Sequence, residues 1–129
     1  MSEKIILLVD DEDDILALLE KKLSERGFKV ITANRGRDAL QKVKANMPNL
    51  ILMDIVLPDI GGPEAIKIIK EDPATRHIPV IFLSGIVSKE EEDSKMGVQV
   101  DGVRYHALAK PFQFQDLYLE IEKVFSVNS

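Results

Sequence analysis

The chain has 129 residues, of which 45% are hydrophobic and 30% are charged, and its net charge is −5. This length and composition favour one globular domain with a single core and argue against a disordered chain. The acidic balance argues against nucleic acid and anionic membranes as partners, and the lack of cysteine excludes disulfides and zinc–thiolate sites.

The first half of the chain predicts three strands, each followed by a helix. The strands are the apolar runs at Ile5–Val9, at residues 28–32 and from Leu50 onward. Apolar residues at helical spacing predict the helices that follow them. These residues are Ile15, Leu16, Leu19 and Leu23 in the first helix, Ala39, Leu40 and Val43 in the second, and Ala65, Ile66 and Ile69 in the third.

The second half predicts two further strands, and its middle part is the least regular of the chain. The strands are expected at residues 79–83 and 105–109. Residues 88–96 predict a helix with almost no apolar stripe, which packing can hold only weakly, and residues 97–104 are expected to form a loop. A terminal amphipathic helix is indicated by Leu117, Ile121, Val124 and Phe125.

Strand and helix alternate five times, which predicts an α/β domain with a five-stranded parallel sheet and helices on both faces. In such doubly wound sheets ligands bind beyond the carboxyl ends of the strands. Neither an internal repeat nor a linker is visible, so residues 1–129 are expected to form one domain. No apolar run approaches a membrane span, and Ile5–Val9 is too short for a signal peptide, so a cytoplasmic protein is expected.

Polar residues follow four of the predicted strands, at the edge where a site is expected. They are Asp10 and Asp11 after the first strand, Asp54 after the third, Ser84 after the fourth and Lys110 after the fifth. Crowded carboxylates repel one another unless a cation intervenes, and oxygen ligands without histidine or cysteine favour Mg²⁺ or Mn²⁺ over zinc. A hydroxyl and an ammonium beside that metal suit a phosphoryl group, and a metal-held carboxylate can be the nucleophile that forms an aspartyl phosphate.

This set of residues resembles the receiver domain of bacterial-type response regulators. The resemblance covers essentially the whole chain and rests on four motifs in the family's order. They are Leu8-Val9-Asp10-Asp11-Glu12, Asp54 with Pro58 and Gly62 behind it, Ser84 after an apolar strand, and Lys110-Pro111-Phe112. It implies a flavodoxin-like fold with strand order 2-1-3-4-5, an order that general accounts of doubly wound sheets already give for this family.

The resemblance implies a role for each acidic residue of the site. Asp54 is the expected phosphoacceptor. Asp11, Asp54 and the backbone carbonyl of Val56 are expected to ligate Mg²⁺ directly, and Asp10 is expected to act mainly through a metal-bound water. Mn²⁺ is a possible substitute for Mg²⁺.

The resemblance further implies a signalling switch in a two-component phosphorelay. A histidine kinase or phosphotransfer protein is expected to present phosphohistidine, and the domain is expected to catalyse only its own phosphorylation and dephosphorylation. Lys110 is expected to pair with Asp54 at rest and with the phosphoryl group after transfer, while Ser84 hydrogen-bonds that group. The expected result is a changed surface around the weak fourth helix, the fifth strand and the terminal helix.

The chain departs from the family pattern near this output surface. Ala107 stands three positions before Lys110, where the family usually carries an aromatic switch residue. Tyr105 lies two residues further back, so in a regular strand it points to the same face, one pleat away. The segment from Ser84 to Lys110 is also a few residues longer than is usual in the family, with the excess around residues 98–104. These departures affect the expected aromatic switch and the output surface. They leave the expected phosphorylation chemistry unchanged.

Three other functions are alternatives to the switch. A Mg²⁺-dependent phosphohydrolase needs its nucleophile after the first strand with an aspartate two residues on, but Asp10 is followed there by Glu12. A flavin module needs a Ser/Thr/Gly-rich phosphate loop where this chain has five acidic residues. The third alternative is a pseudo-receiver that acts as an unphosphorylated scaffold. It is retained because Ala107 replaces the usual aromatic switch residue. No output domain is expected, so the protein acts through an unknown downstream partner or is a piece of a longer one, without direct nucleic-acid binding or membrane insertion.

Overall fold

The computed structural model describes residues 3–84, 97–100, 102–110 and 112–127. Six strands and four helices occur in this part of the chain. They are β1 (Ile5–Val9), α1 (Asp13–Glu25), β2 (Lys29–Ala33), α2 (Gly36–Asn46), β3 (Leu50–Asp54), α3 (Gly62–Glu71), β4 (Val80–Ser84), β5 (Gly97–Val100), β6 (Val103–Ala109) and α4 (Phe114–Val127). None of the described helices is long and apolar enough to cross a membrane.

The strands form one sheet in the order β2-β1-β3-β4-β6-β5. The first five of these run parallel, which confirms the predicted parallel sheet and its order, with β6 as the fifth parallel strand. In the register, Val9 lies opposite Met53, and Ser84 lies opposite Ala109. The carboxyl ends of β1, β3, β4 and β6 therefore meet at one edge of the sheet.

Two layers of apolar side chains hold the helices to the sheet. Alternate residues of each strand point to opposite faces, so the continuous aliphatic runs are buried on both sides. One layer, the α2/α3 layer, contains Leu7, Val9, Ile51, Met53 and Phe82 of the strands together with Ala39, Val43, Ala65, Ile66 and Ile69 of the helices. The other, the α1/α4 layer, contains Ile6, Leu8, Leu50, Leu52, Ile81 and Leu83 with Leu16, Leu19, Leu23, Leu117 and Ile121.

The predicted loop at residues 97–104 is wrong, because a hairpin occupies this position. Val100 of β5 lies opposite Val103 of β6 across a two-residue connection, and the two strands are antiparallel. An Asp-Gly pair between β-branched residues is a strong hairpin signal, and Gly102 has a φ of 80°, which favours glycine. Val100 is buried in the α2/α3 layer. The helix predicted at residues 88–96 lies outside the described residues.

Candidate functional site

Three of the predicted site residues come together at the carboxyl edge of the sheet. Asp10 directly follows β1, Asp54 is the last residue of β3, and Lys110 directly follows β6. The Lys110 Nζ atom lies 2.6 Å from Asp10 Oδ2 and 3.5 Å from Asp54 Oδ2. Lys110 was expected to pair with Asp54, and it does so, but its shorter ion pair is with Asp10.

Asp10 is held from both sides and is fully buried, with 0% of its surface exposed. Its Oδ2 accepts the hydrogen bond from Lys110, and its Oδ1 accepts one from the backbone N–H of Glu12 at 2.9 Å. The Asp10 N–H in turn donates to the Ala33 carbonyl at 3.2 Å. A buried carboxylate needs such partners, since an unpaired one is costly to desolvate. Asp10 therefore fixes the position of the Lys110 ammonium.

Asp10, Asp11 and Glu12 form an acidic cluster that can hold a metal ion. One carboxylate oxygen of each residue lies within 4.8 Å of the other two. Asp11 and Glu12 are exposed, whereas Asp10 is buried. Glu12 was not predicted as a ligand, although its position directly after Asp10-Asp11 was a sufficient signal. An all-oxygen donor set with excess negative charge fits Mg²⁺ or Mn²⁺.

The electrostatics of Asp54 point to the same need for a cation. Only 7% of Asp54 is exposed. Burial, and then the neighbouring Asp10 carboxylate, raise the pKa of Asp54 above its ordinary 3.8, and Lys110 opposes this only in part. The Asp54 carboxyl group therefore binds its proton more tightly in the folded protein than in the unfolded chain. The stabilisation from protonated Asp54 is fully present below pH 3.8 and is lost as the pH rises through the folded pKa.

We expect Asp54→Asn to remove this pH dependence from the metal-free protein. In EDTA, the variant should be more stable than wild type to urea at about pH 7, because it no longer places a charge in a buried site. The difference should shrink as the pH falls through the raised pKa of Asp54, because the wild-type carboxyl group then takes up its proton. A stability difference that stays constant over this range would contradict the raised pKa.

The loop after Asp54 turns back tightly on the end of β3. The Gly62 N–H donates to the Ile55 carbonyl at 2.8 Å, and the Ile55 N–H donates to Leu83 at 3.2 Å. A Cβ atom on Gly62 would lie 2.2 Å from the Asp54 carbonyl oxygen, so only glycine fits at this position. Gly62 was predicted as part of the motif behind Asp54, and its close approach explains the residue type.

The two remaining site residues lie at the same edge, and their roles stay predictions. Ser84 is the last residue of β4 and its backbone lies opposite Ala109, next to Lys110. Val56 stands two residues after Asp54, and 58% of it is exposed. The backbone therefore places residue 84 beside the end of β6 and residue 56 just beyond Asp54.

Tyr105 and Ala107 share one face of β6, as predicted. Both pack against the α2/α3 layer. The Tyr105 ring stands edge-on to Phe82, with ring centroids 6.0 Å apart and an interplanar angle of 79°. Ala107 lies opposite Phe82 in the sheet register. The aromatic side chain is therefore one pleat further from Lys110 than in the family pattern.

An apolar groove of about 470 Å³ opens beside the acidic cluster. It lies between α1 and the residues around the start of α4, and Lys110 is one of its lining residues. Its apolar walls are formed by Ile15, Leu18, Leu19, Phe112 and Phe114. Leu18 is 54% exposed, so part of the apolar wall of the groove faces solvent.

Comparison with known sequences gives a match over nearly the whole chain. Residues 6–122 match the family described as response regulator receiver domain. The chain is 32% identical over 121 residues to the alkaline phosphatase synthesis transcriptional regulatory protein PhoP of Bacillus subtilis, which covers 94% of this chain and 48% of PhoP. It is 34% identical over 90 residues to the polar-differentiation response regulator DivK of Brucella anthropi, which covers 70% of this chain and 73% of DivK.

Solved structures show the same architecture. A response regulator receiver domain protein (CheY-like) from Methanospirillum hungatei superposes with a TM-score of 0.81 at 28% identity, covering 97% of this chain and 96% of that chain. The chemotaxis protein CheY4 of Vibrio cholerae superposes with a TM-score of 0.82 at 25% identity, covering 95% of this chain and 99% of that chain. The chain spans less than two thirds of the length of some curated relatives, PhoP at 48% among them.

Proposed function

Because the chain belongs to the response regulator receiver domain family of two-component systems, we propose that it is a phosphoacceptor switch whose Asp54 takes a phosphoryl group from phosphohistidine. The observation that carries this proposal is the triad at the carboxyl edge, in which the Lys110 ammonium is shared between the buried carboxylates of Asp10 and Asp54. We propose that residues 1–129 act as one receiver domain. It catalyses only its own phosphorylation and dephosphorylation.

The residues of the triad have distinct parts in this reaction. An Asp54 carboxylate oxygen attacks phosphorus, so that a P–O bond forms while the P–N bond to the donor histidine breaks. Lys110 stands within ion-pair distance of Asp54 and faces the charge that spreads over the transferring oxygens. Asp10 keeps Lys110 in place, and the Ser84 hydroxyl is proposed to hydrogen-bond the phosphoryl group once it is attached.

A divalent cation completes the proposed site. Asp11, Asp54 and the Val56 carbonyl would hold Mg²⁺, or Mn²⁺ in its place, and Asp10 would reach it through a water molecule. When bound, the ion offsets the negative charge of the carboxylates and of the incoming phosphoryl group. The carboxylate oxygens of Asp10, Asp11 and Glu12, together within 4.8 Å, support this part of the proposal.

We propose that a histidine kinase or a phosphotransfer protein docks at the groove beside the site. The groove brings an apolar surface, including the exposed Leu18, next to Lys110 and Glu12. An apolar patch at the edge of a charged site is typical of a protein-binding surface. A downstream protein partner then responds to the changed surface around β6 and α4. Direct binding of nucleic acid and insertion into a membrane are not part of the proposal.

The phosphohydrolase alternative is disfavoured by the position of Asp10. In that alternative the nucleophile follows the first strand, where Asp10 stands. Asp10 is fully buried, and its two oxygens already accept hydrogen bonds from Lys110 and from the Glu12 N–H. Asp54 keeps an exposed fraction of 7%, which leaves it the better placed of the two carboxylates to meet a phosphorus atom.

Incubation with acetyl phosphate and Mg²⁺ tests the proposal directly. Intact-protein mass spectrometry should show the mass of a single added phosphoryl group, labile to acid, and EDTA should prevent its formation. Absence of the adduct with Mg²⁺ from both acetyl phosphate and a phosphohistidine donor would refute the switch. Equal incorporation with and without EDTA would refute the metal requirement alone.

A further inference from the structure

The loop between Asp54 and α3 is attached to the start of α2 by Asp59. Asp59 Oδ1 accepts a hydrogen bond from the Gly36 N–H at 2.8 Å, and its Oδ2 accepts one from the Arg37 N–H at 2.9 Å. These are free N–H groups of the first turn of α2, which an N-cap side chain normally satisfies. The N-cap residue Arg35 makes no side-chain cap. Asp59 therefore caps α2 from 23 residues away.

A second contact joins the same loop to the same helix start. A Cβ atom on Gly36 would lie 2.4 Å from Cγ1 of Ile60 and 3.0 Å from the Ile60 carbonyl oxygen. Ile60 fills the space that glycine leaves, and it packs against the α2/α3 layer. The loop backbone at residues 59 and 60 is thus fixed against α2 by two charge-assisted hydrogen bonds and one apolar contact.

These contacts matter because the residue expected to bind metal through its carbonyl has no anchor of its own. Val56 is 58% exposed, so its side chain does not hold the loop in place. The path of the backbone at Val56 depends on its neighbours. On one side is Ile55, hydrogen-bonded to Leu83 and Gly62, and on the other are the buried Leu57 and then Asp59.

The charge of Asp59 suits this task. The Arg37 N–H, followed by those of Ile60 and Gly36, lowers the pKa of Asp59 to about 2, and burial opposes this only in part. Its carboxylate is ionised at any pH near neutrality and lies at the positive end of the α2 dipole. The attachment therefore persists under the conditions in which the site has to bind Mg²⁺.

We propose that Asp59 is a positioning residue of the metal and phosphoryl site. By capping α2 from the loop, it holds the backbone between Asp54 and Asp59 in the path that presents the Val56 carbonyl to the cation. Residues outside the metal's own ligand shell commonly set its affinity by fixing ligand orientation. This inference rests on the proposed function, because it assigns Asp59 a part in the same site.

Mg²⁺ titration of Asp59 variants by calorimetry tests this role. Asp59→Ala should weaken Mg²⁺ binding about tenfold, as loss of an outer-shell partner typically does. Asp59→Asn should show a smaller loss, because its single amide oxygen can still accept one of the two hydrogen bonds. Phosphorylation of Asp59→Ala by acetyl phosphate should be slow at low Mg²⁺ and should recover at saturating Mg²⁺, which a merely destabilised protein would not do.

Asp72→Ala is the matched control. Asp72 is also a loop carboxylate that accepts a backbone hydrogen bond, from the Ala74 N–H at 2.9 Å. It lies between the end of α3 and the start of β4, on the side of the sheet where the strands begin. It should bind Mg²⁺ as wild type does. Equal affinity of Asp59→Ala and wild type would overturn the inference, and so would an equal loss in Asp72→Ala. If wild type itself binds no Mg²⁺, the proposed function fails instead.

Discussion

Asp54→Asn is expected to lower the rate of phosphoryl incorporation by a factor of about 10⁴ or more, as loss of a nucleophile commonly does. The amide has nearly the shape of the carboxylate but lacks its nucleophilic charge, so chemistry is lost while the fold is kept. The measurement is acid-labile phosphate on the intact protein after incubation with acetyl phosphate and Mg²⁺. The far-ultraviolet circular dichroism of the variant should match that of wild type.

Asp116→Asn is a suitable control, since Asp116 is an exposed carboxylate in the first turn of α4 and is not an ion-pair partner of Lys110. It should be phosphorylated like wild type. Phosphate retained by Asp54→Asn would mean that another group accepts it, and peptide mapping of the adduct would then identify that group. Retention of the adduct at any other residue would contradict the assignment of Asp54.

Gly62→Ala is expected to lower the free energy of unfolding by about 3 kcal/mol, the upper part of the range for overpacking a buried site. The added Cβ would lie 2.2 Å from the Asp54 carbonyl oxygen and 3.0 Å from Met53 Cγ. The nearest obstacle is the backbone of β3 itself, which cannot move without shifting Asp54. Phosphorylation should therefore slow along with the loss of stability, as measured by urea unfolding and by acetyl phosphate incorporation.

Gly61→Ala provides the neighbouring control. A Cβ atom at Gly61 would meet nothing closer than 3.6 Å, and the φ of Gly61 is −67°, which any residue adopts. Its stability should stay within about 1 kcal/mol of wild type, since such a replacement mainly reduces the freedom of the unfolded chain. A comparable loss in both variants would mean that the loop tolerates no side chain at all, and the specific clash at Gly62 would not explain the effect.

The parts of the site that follow from strand ends could be predicted from the sequence. Ile5–Val9 and the run before Asp54 are continuous aliphatic segments, and a polar residue marks the end of each. Parallel strands with helices on both faces leave little freedom in where those ends meet. The sequence pattern therefore predicts that Asp10, Asp54 and Lys110 lie together.

The sequence could not predict contacts that depend on ångström-scale geometry or on distant partners. The shorter ion pair of Lys110 with Asp10 than with Asp54 is a matter of side-chain placement within one cluster. The capping of α2 by Asp59 joins positions 23 residues apart, while the local cap position holds an arginine. No local sequence pattern predicts a contact between residues this far apart in the chain. The hairpin differs from these contacts, because the Asp-Gly pair at residues 101 and 102 is a local signal for it.

The β5–β6 hairpin has a consequence for the order of folding. Its strands pair across a two-residue connection, whereas the parallel pair β1–β2 needs the whole of α1 between its strands. Local hairpins form within about 1–10 μs, and short loops cost little entropy to close. We therefore expect β5–β6 to assemble before β6 docks on β4. The last parallel strand then reaches the sheet with its outer edge already paired, and the free edge on this side of the sheet is the short strand β5, of four residues. Short edge strands limit mispairing with other chains.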